Sequence, residues 1–299
     1  MLGAAYRVSL TARWQPGDPG DPALMIALHA RRSAPAIAAW KVAHPQRPLL
    51  LVLTGTDLYR DIDRDADAQR SLALADALVV LNALGADRLP PALRAKCQVV
   101  LQSCAQRQTL PKTDRHLRAL MVGHLRDEKD PRTYFAAARW LVARADILLD
   151  HVGAALDPAL GAEAAALAAE QPHYRWLGAL PHAQVRARIQ AAHVLVHPSR
   201  IEGGAHVVIE ALRSGTPVIA SHIDGNLGLL GGDYAGSFAP GDDAALAALL
   251  QRARDDADML AALQRQCAAR APLFAPEAEA ATLRQLVAAL LRSRQPGAR

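Results

Sequence analysis

Short apolar runs alternate along the chain with longer stretches whose apolar positions recur every three or four residues. That alternation predicts repeated βα units and parallel sheets flanked by helices. In the first part the expected strands are Tyr6–Leu10, Leu24–Leu28, Leu49–Leu53, Ala77–Leu81 and Gln98–Leu101. Helices are expected over Ala34–Ala43 and Ala66–Ala75. The segment Arg107–Arg115 is polar, contains Pro111, and reads as a linker. A second series follows, with strands at Arg118–Val122, Ile147–Asp150, Tyr174–Leu177, Val194–His197 and Val218–Ala220. Its helices are expected at Pro131–Ala145, Pro158–Glu170, Ala183–Ala192, Ala205–Ser214, Ala244–Asp255 and Met259–Ala269. A last helix, Glu277–Leu291, follows Pro272 and Pro276, and Arg292–Arg299 reads as a frayed tail. The expected organisation is therefore α/β, with Rossmann-like domains over 1–112 and 113–276 and a helix with its tail over 277–299.

Composition narrows the class. A chain of 299 residues suits two domains of ordinary size, and 51% hydrophobic with 21% charged residues is globular. Abundant alanine and leucine with few aromatics favour a helix-rich α/β chain. No apolar run reaches about 18 residues, so no membrane span or stable membrane association is expected. Met1–Thr11 lacks a signal-peptide pattern. Cys97, Cys104 and Cys267 are odd in number and have no metal-ligand spacing, which points to a reduced, cytoplasmic setting without a bound metal. The net charge of +5 comes from scattered basic residues, with no basic stripe interleaved with aromatics, so no nucleic-acid partner is expected.

The richest chemistry lies between Ser199 and Ser221: strand end, glycine loop, helix, Gly-Thr-Pro turn and a second strand. Gly203 and Gly204 allow close backbone approach, and the helix behind them aims free N–H groups and its positive dipole end outward. Val207, Val208, Ile209, Ala211 and Leu212 make that helix apolar nearly all round, so an ionised Glu210 inside it needs a hydrogen-bonding partner. Glu210 lies about 12 Å of helix from Glu202, a separation that suits a nucleotide-sugar. The plainer alternative is a solvated Glu202, with Glu210 paired to Arg213 or another basic residue.

This segment resembles the E-x7-E signature of the retaining family-4 glycosyltransferases of GT-B fold. The resemblance implies that Glu202 contacts the transferred sugar, that Glu210 binds the ribose hydroxyls, and that the amides of Gly203, Gly204 and Ala205 meet sugar and phosphate. Val122-Gly-His-Leu-Arg-Asp-Glu-Lys-Asp-Pro131 is similar to that family's G-R-L-x-x-x-K loop. Lys129 falls on the lysine position; His124 replaces the arginine, and Arg126 stands two residues later. Cations there would neutralise the donor diphosphate as it leaves, either through Arg126 or through His124 as an imidazolium. Gly178 and Leu180, in Trp176-Leu-Gly-Ala-Leu-Pro-His182, fall on the turn that receives the base. The resemblance further implies a metal-independent enzyme without cofactor and a final helix that crosses back to the first, acceptor-side domain. Against the family pattern, Leu2–Arg7 looks like the end of its first helix. A first domain lacking its opening βα unit and its central strand is therefore expected, through truncation or a late start.

At the first domain's strand ends, His29, Arg31 and Arg32 would supply three potential cations, with Ser33 capping the next helix. Thr54, Gly55 and Asp57 follow the strand Leu49–Leu53, where many family members carry His-Gly. Asn226, in Asp224-Gly-Asn-Leu-Gly-Leu-Leu230, reads equally as an acceptor contact or a helix cap. Together with the loops above, these segments resemble the selenosugar synthases of selenoneine biosynthesis. That family joins selenophosphate to the anomeric carbon of N-acetylglucosamine from UDP-N-acetylglucosamine and releases UDP. The alternatives are a family-4 transferase acting on a sugar or lipid hydroxyl, and a nucleotide-sugar binder without turnover.

Overall fold

The computed structural model describes residues 1–293. The expected tail at Arg292–Arg299 lies, from residue 294 onward, outside the described residues. The chain forms two compact units. One comprises Met1–Ser103, Glu202–Gly204 and the stretch from Ala275; the other comprises Cys104–Ile201 and Ala205–Phe274.

The first unit holds a parallel sheet in the sequential order β1 (Met25–Leu28), β2 (Leu49–Leu53), β3 (Ala77–Val80) and β4 (Cys97–Val99). Strand alternation sorts the apolar runs onto two covered faces. Leu49, Leu51, Leu53, Leu78 and Val80 pack with Ile37 and Trp40 of α1 (Ala34–Ala43) and with Ala68 and Leu72 of α2 (Ala66–Leu74). Leu50, Val52, Ala77 and Val79 pack on the other face with Leu286 and Leu290. A short helix, α3 (Pro91–Arg94), precedes β4.

One expected strand does not form. Tyr6–Leu10 is irregular, with Val8 50% and Leu10 95% exposed. Its alternation has no neighbouring strand to pair with, and an isolated strand cannot satisfy its own backbone. β1 pairs with β2 alone among the described residues and lies at the sheet edge, with Leu28 exposed.

The second unit is doubly wound, in the order β10-β9-β8-β5-β6-β7, all parallel. Its strands are β5 (Leu117–Val122), β6 (Ile147–Val152), β7 (Tyr174–Trp176), β8 (Val194–His197), β9 (Val218–Ser221) and β10 (Ser237–Phe238). The order reverses between β5 and β8, where ligands characteristically bind outside the carboxyl ends of such strands. Its helices are α4 (Pro131–Trp140), α5 (Pro158–Glu170), α6 (His182–Ala191), α7 (His206–Leu212), α8 (Asp224–Leu230), α9 (Asp243–Asp255) and α10 (Ala257–Arg270). The last helix, α11 (Pro276–Arg292), carries Leu286 and Leu290 and belongs to the first unit.

Candidate active site

In the second unit, Glu210 sits in the middle of α7 and is 2% exposed. Its Oε1 lies 2.6 Å from Nε2 of His182, 3.4 Å from Nδ1 of His206 and 3.7 Å from Nη1 of Arg186. Burial raises the pKa of this carboxyl. Hydrogen bonds from His206 and His182, with the charges of His206 and Arg186, outweigh it and hold the group below the usual glutamate range. Arg213 is not its partner. That guanidinium donates to the carbonyls of Cys104 and Ala271. The His206–Glu210 contact follows from i,i+4 spacing and is visible in the sequence. His182 and Arg186, one helical turn apart on α6, arrive from 28 and 24 residues away, and no local pattern announces them.

The loop after β5 carries the expected diphosphate cations. Gly123 N–H donates to the carbonyl of Val152 and Leu125 N–H to that of Ala154, so the loop runs alongside the end of β6. A Cβ on Gly153 would collide with the Gly123 carbonyl, so the approach requires glycine there. Beneath it, His151 donates from Nε2 to the Gly123 carbonyl at 3.1 Å and accepts at Nδ1 from the Tyr174 hydroxyl at 3.2 Å. Burial pushes its pKa down to about 4 against the opposing Gly123 hydrogen bond, so it is neutral near pH 7. His124 and Arg126 are exposed, and the stem of Lys129 lies over Gly123. His124 Nδ1 accepts from the Ala154 N–H at 3.0 Å, which puts the ring proton on Nε2.

Asp130 closes the loop in the left-handed region, at φ 48°. It accepts from the Thr133 hydroxyl at 2.8 Å and lies 3.1 Å from Arg200 Nε. Arg200 N–H in turn donates to the Glu128 carbonyl. The pair fastens the β5 loop to the segment that follows β8. Gly178, at φ 64°, and the half-buried Leu180 form the turn that leads to His182.

In the first unit, Glu202 is half-buried, while Gly203 and Gly204 pack closely. The Gly203 carbonyl accepts from Asn82 Nδ2 at 2.7 Å, and a Cβ on Gly203 would strike the Thr54 carbonyl. Sequence reasoning did not single out Asn82.

One expected acceptor contact is corrected. Asp57 is fully buried: Oδ1 accepts from the N–H groups of Thr54 and Gly55, both at 2.9 Å, and Oδ2 from that of Ala30 at 2.9 Å. It braces its loop and has no face for a ligand. Asn226 is also fully buried; its Nδ2 donates to the carbonyl and hydroxyl oxygens of Ser221, both at 3.0 Å, and its Oδ1 has no hydrogen-bond partner among the described residues. It is not a helix cap, since Ile223 holds that position.

His29 is 5% exposed and sits at φ 72°, a strained value for a residue with a Cβ. Nδ1 accepts from Arg32 N–H at 3.3 Å and Nε2 lies 3.1 Å from Thr56 Oγ1. Burial lowers its pKa, with Asp57 acting in the opposite direction. Of the three expected cations, His29 is thus an uncharged donor. Arg31 and Arg32 are exposed, with Arg31 Nε 3.0 Å from Asp61, and Ser33 Oγ donates to the Leu28 carbonyl instead of capping α1. Thr54 is exposed and Gly55, at φ 137°, abuts Gly203.

A family model described as "Glycosyl transferases group 1" matches residues 103–271, more than half of the chain. A segment of 84 residues is 38% identical to a glycogen synthase of Mycobacterium tuberculosis, covering 27% of this chain and 20% of that protein. Among solved structures, the sucrose-phosphate synthase of Thermosynechococcus elongatus is similar with a TM-score of 0.74 at 22% identity, over 91% of this chain and 74% of that one. Anabaena HepE, solved with UDP and glucose, gives 0.71 at 18% identity, over 91% and 78%. The pneumococcal O-GlcNAc transferase GtfA, solved with UDP and GlcNAc, gives 0.69 at 17% identity, over 90% of this chain but only 57% of that one. At such identities the solved relatives establish a shared fold. Together with a family model spanning most of the second unit, they identify the chain as a member of the group 1 glycosyl transferases.

Proposed function

We propose that the protein is a glycosyltransferase using a UDP-sugar, and that it joins N-acetylglucosamine from UDP-N-acetylglucosamine to the selenium of selenophosphate. The observation that carries the donor half is the buried, ionised Glu210 on α7. A carboxylate in that setting is costly unless polar partners meet it, and two of its partners are imidazoles whose side chains are 74% and 45% exposed. Paired ribose hydroxyls are suitable replacements for them. Glu202 is assigned to the transferred sugar, the amides of Gly203, Gly204 and Ala205 to sugar and phosphate, and Gly178 and Leu180 to the base. Lys129, Arg126 and the Nε2–H of His124 are assigned to the diphosphate. HepE and GtfA, which share the fold, bind UDP with glucose and UDP with GlcNAc respectively.

In the transfer, selenium bonds to the anomeric carbon while the bond from that carbon to the β-phosphate oxygen breaks, and the electron pair leaves with UDP. Charge therefore accumulates on the diphosphate, where fixed cations stabilise the transition state most. An ionised selenium nucleophile needs no general base, in keeping with Thr54 where many relatives have histidine. Arg31 and Arg32, with the neutral donor His29 and the loop at Thr54 and Gly55, suit an anionic acceptor.

The test is incubation with UDP-N-acetylglucosamine and selenophosphate, following UDP release and selenosugar mass against a control without acceptor. Product that is lost in Glu210→Ala is expected. UDP binding with no selenosugar would overturn the acceptor assignment. Product from a sugar or lipid hydroxyl would then favour an ordinary family-4 transferase, and no product from any acceptor a nucleotide-sugar binder.

A further inference from the structure

Three hydroxyl groups follow the first two strands of the first unit: Ser33 after β1, and Thr54 and Thr56 after β2. Two of them already direct their protons at protein oxygens. Ser33 Oγ donates to the Leu28 carbonyl at 2.6 Å, and Thr54 Oγ1 to Asp57 Oδ1 at 3.4 Å. Thr56 differs. Its Oγ1 lies 3.1 Å from His29 Nε2, and no other partner meets it among the described residues. The far side of the imidazole decides which of these two atoms donates. His29 Nδ1 accepts from the Arg32 N–H, so the proton of the neutral ring is on Nε2 and Thr56 Oγ1 is the acceptor. The Thr56 hydroxyl proton must then point away from the ring.

His29 itself offers a ligand nothing, being 5% exposed with both ring nitrogens engaged. Its left-handed backbone is pinned on both sides: the N–H donates to the Val52 carbonyl at 2.9 Å, and the carbonyl accepts from Ser33 N–H at 3.0 Å. Such strain persists where the surroundings hold it, and here it sets the ring against Thr56. Half-buried Thr56 is the member of the pair that a ligand can meet. The charges of Arg32 and Arg31 both act on the ring, so both lie near it. The carboxylates beside them are occupied, Asp57 by three backbone amides and Asp61 by the guanidinium groups of Arg31 and Arg60. An oxyanion brings acceptors and needs donors, and a hydroxyl that already accepts a hydrogen bond donates more strongly. We propose that Thr56 is a binding residue for the anionic acceptor, donating its hydroxyl proton to an acceptor oxygen, and that His29 is the positioning residue that aims this proton. The inference rests on the reading of the acceptor as a phosphate-class oxyanion.

The measurement is affinity for inorganic phosphate, a tetrahedral oxyanion, by phosphorus NMR titration with UDP held saturating so that the diphosphate cations are occupied. Thr56→Val is expected to bind phosphate about 10- to 100-fold more weakly than the wild type, the loss of one hydrogen bond to a charged group. The KM for selenophosphate is expected to rise by the same ratio. Thr56→Ser restores the hydroxyl and is expected to stay within about threefold of the wild type. His29→Asn suits the left-handed backbone but has no atom at the Nε2 position. It is expected to weaken phosphate binding in the wild type and to add nothing in Thr56→Val, because the two residues act as one. Phosphate affinity and KM unchanged in Thr56→Val overturn the proposal and leave the oxyanion reading standing. A serine variant as weak as the valine variant also overturns it, since the loss then comes from packing. Equal losses from His29→Asn on both backgrounds overturn the positioning role, being what a merely disturbed loop would give. No phosphate binding and no selenosugar by the wild type overturn the oxyanion reading and the inference together. Should Thr56→Val fold poorly, Thr56→Ala removes the same hydroxyl and carries the same expectations.

Discussion

At the residue scale, ionisation is set by who faces whom. Glu210 and His151 are both buried in the second unit, yet their pKa values move for opposite reasons. Glu210 is kept charged by neighbouring imidazoles and a guanidinium, whereas His151 is kept neutral by burial, against the hydrogen bond it donates to the Gly123 carbonyl. A histidine whose folded-state pKa is depressed makes the native state less stable in acid, because the unfolded chain takes up the proton first. For His151 the loss begins near the unfolded value of about 6.5 and is complete below about 4, amounting to about 3 kcal/mol. His29 and His193, both lowered chiefly by burial, act in the same direction. Urea unfolding at pH 7 and pH 4.5 should show this decline in the wild type and a smaller one in His151→Gln. Equal declines in the two proteins would refute the assignment. Asp57 shows the limit of sequence reading at this scale. A carboxylate after a strand looks like a ligand group until its oxygens are found on three backbone amides.

At the element scale, strand positions were legible and helix ends less so. The runs at Leu49–Leu53 and Val194–His197 form strands with the expected bounds, because a parallel strand covered on both faces is apolar throughout. By contrast, α4 stops at Trp140 rather than Ala145. There the Arg144 guanidinium is held by Asp146 and Asp255, the latter from 111 residues away. Similarly, α7 ends at Leu212, after which the chain turns through Gly215 at φ 70°. The close passage of the β5 loop over the end of β6 yields a sharp prediction. Gly153→Ala places a methyl group against the Gly123 carbonyl and 2.9 Å from His124 Cα, so the loop must move. Stability should fall by about 1–3 kcal/mol, as for an overpacked core, and UDP affinity with it. Melting curves and calorimetry on that variant would decide, and wild-type UDP binding would show that the loop's placement is immaterial to the ligand.

At the scale of the whole molecule, each unit owes its stability to segments distant in sequence. In the first, α11 supplies Leu286 and Leu290 to the face of the sheet made by Leu50, Val52, Ala77 and Val79. Leu286 is 4% exposed, so Leu286→Ala should cost about 2–5 kcal/mol, comparable to other buried leucine truncations. Denaturation should show that loss in the transition of the first unit. A change below about 0.5 kcal/mol would mean that the helix contributes little there. Among the described residues no helix is long and apolar enough to cross a membrane.

The order of residues by itself determined the alternation of strand and helix, the α/β class, the paired glutamates and the cation-bearing loop after β5. All of these are local: a period of two or four, a glycine, or a charge at fixed spacing is complete within a few residues. Tertiary structure alone decided that Tyr6–Leu10 has no strand partner, that the Asp57 carboxylate is consumed by backbone amides, that Asn226 is buried beside Ser221, and that Glu202–Gly204 packs with the first unit. It also decided that Glu210 meets His182 and Arg186. Pairing, burial and protonation depend on groups brought from tens or hundreds of residues away, and a local pattern carries no record of them.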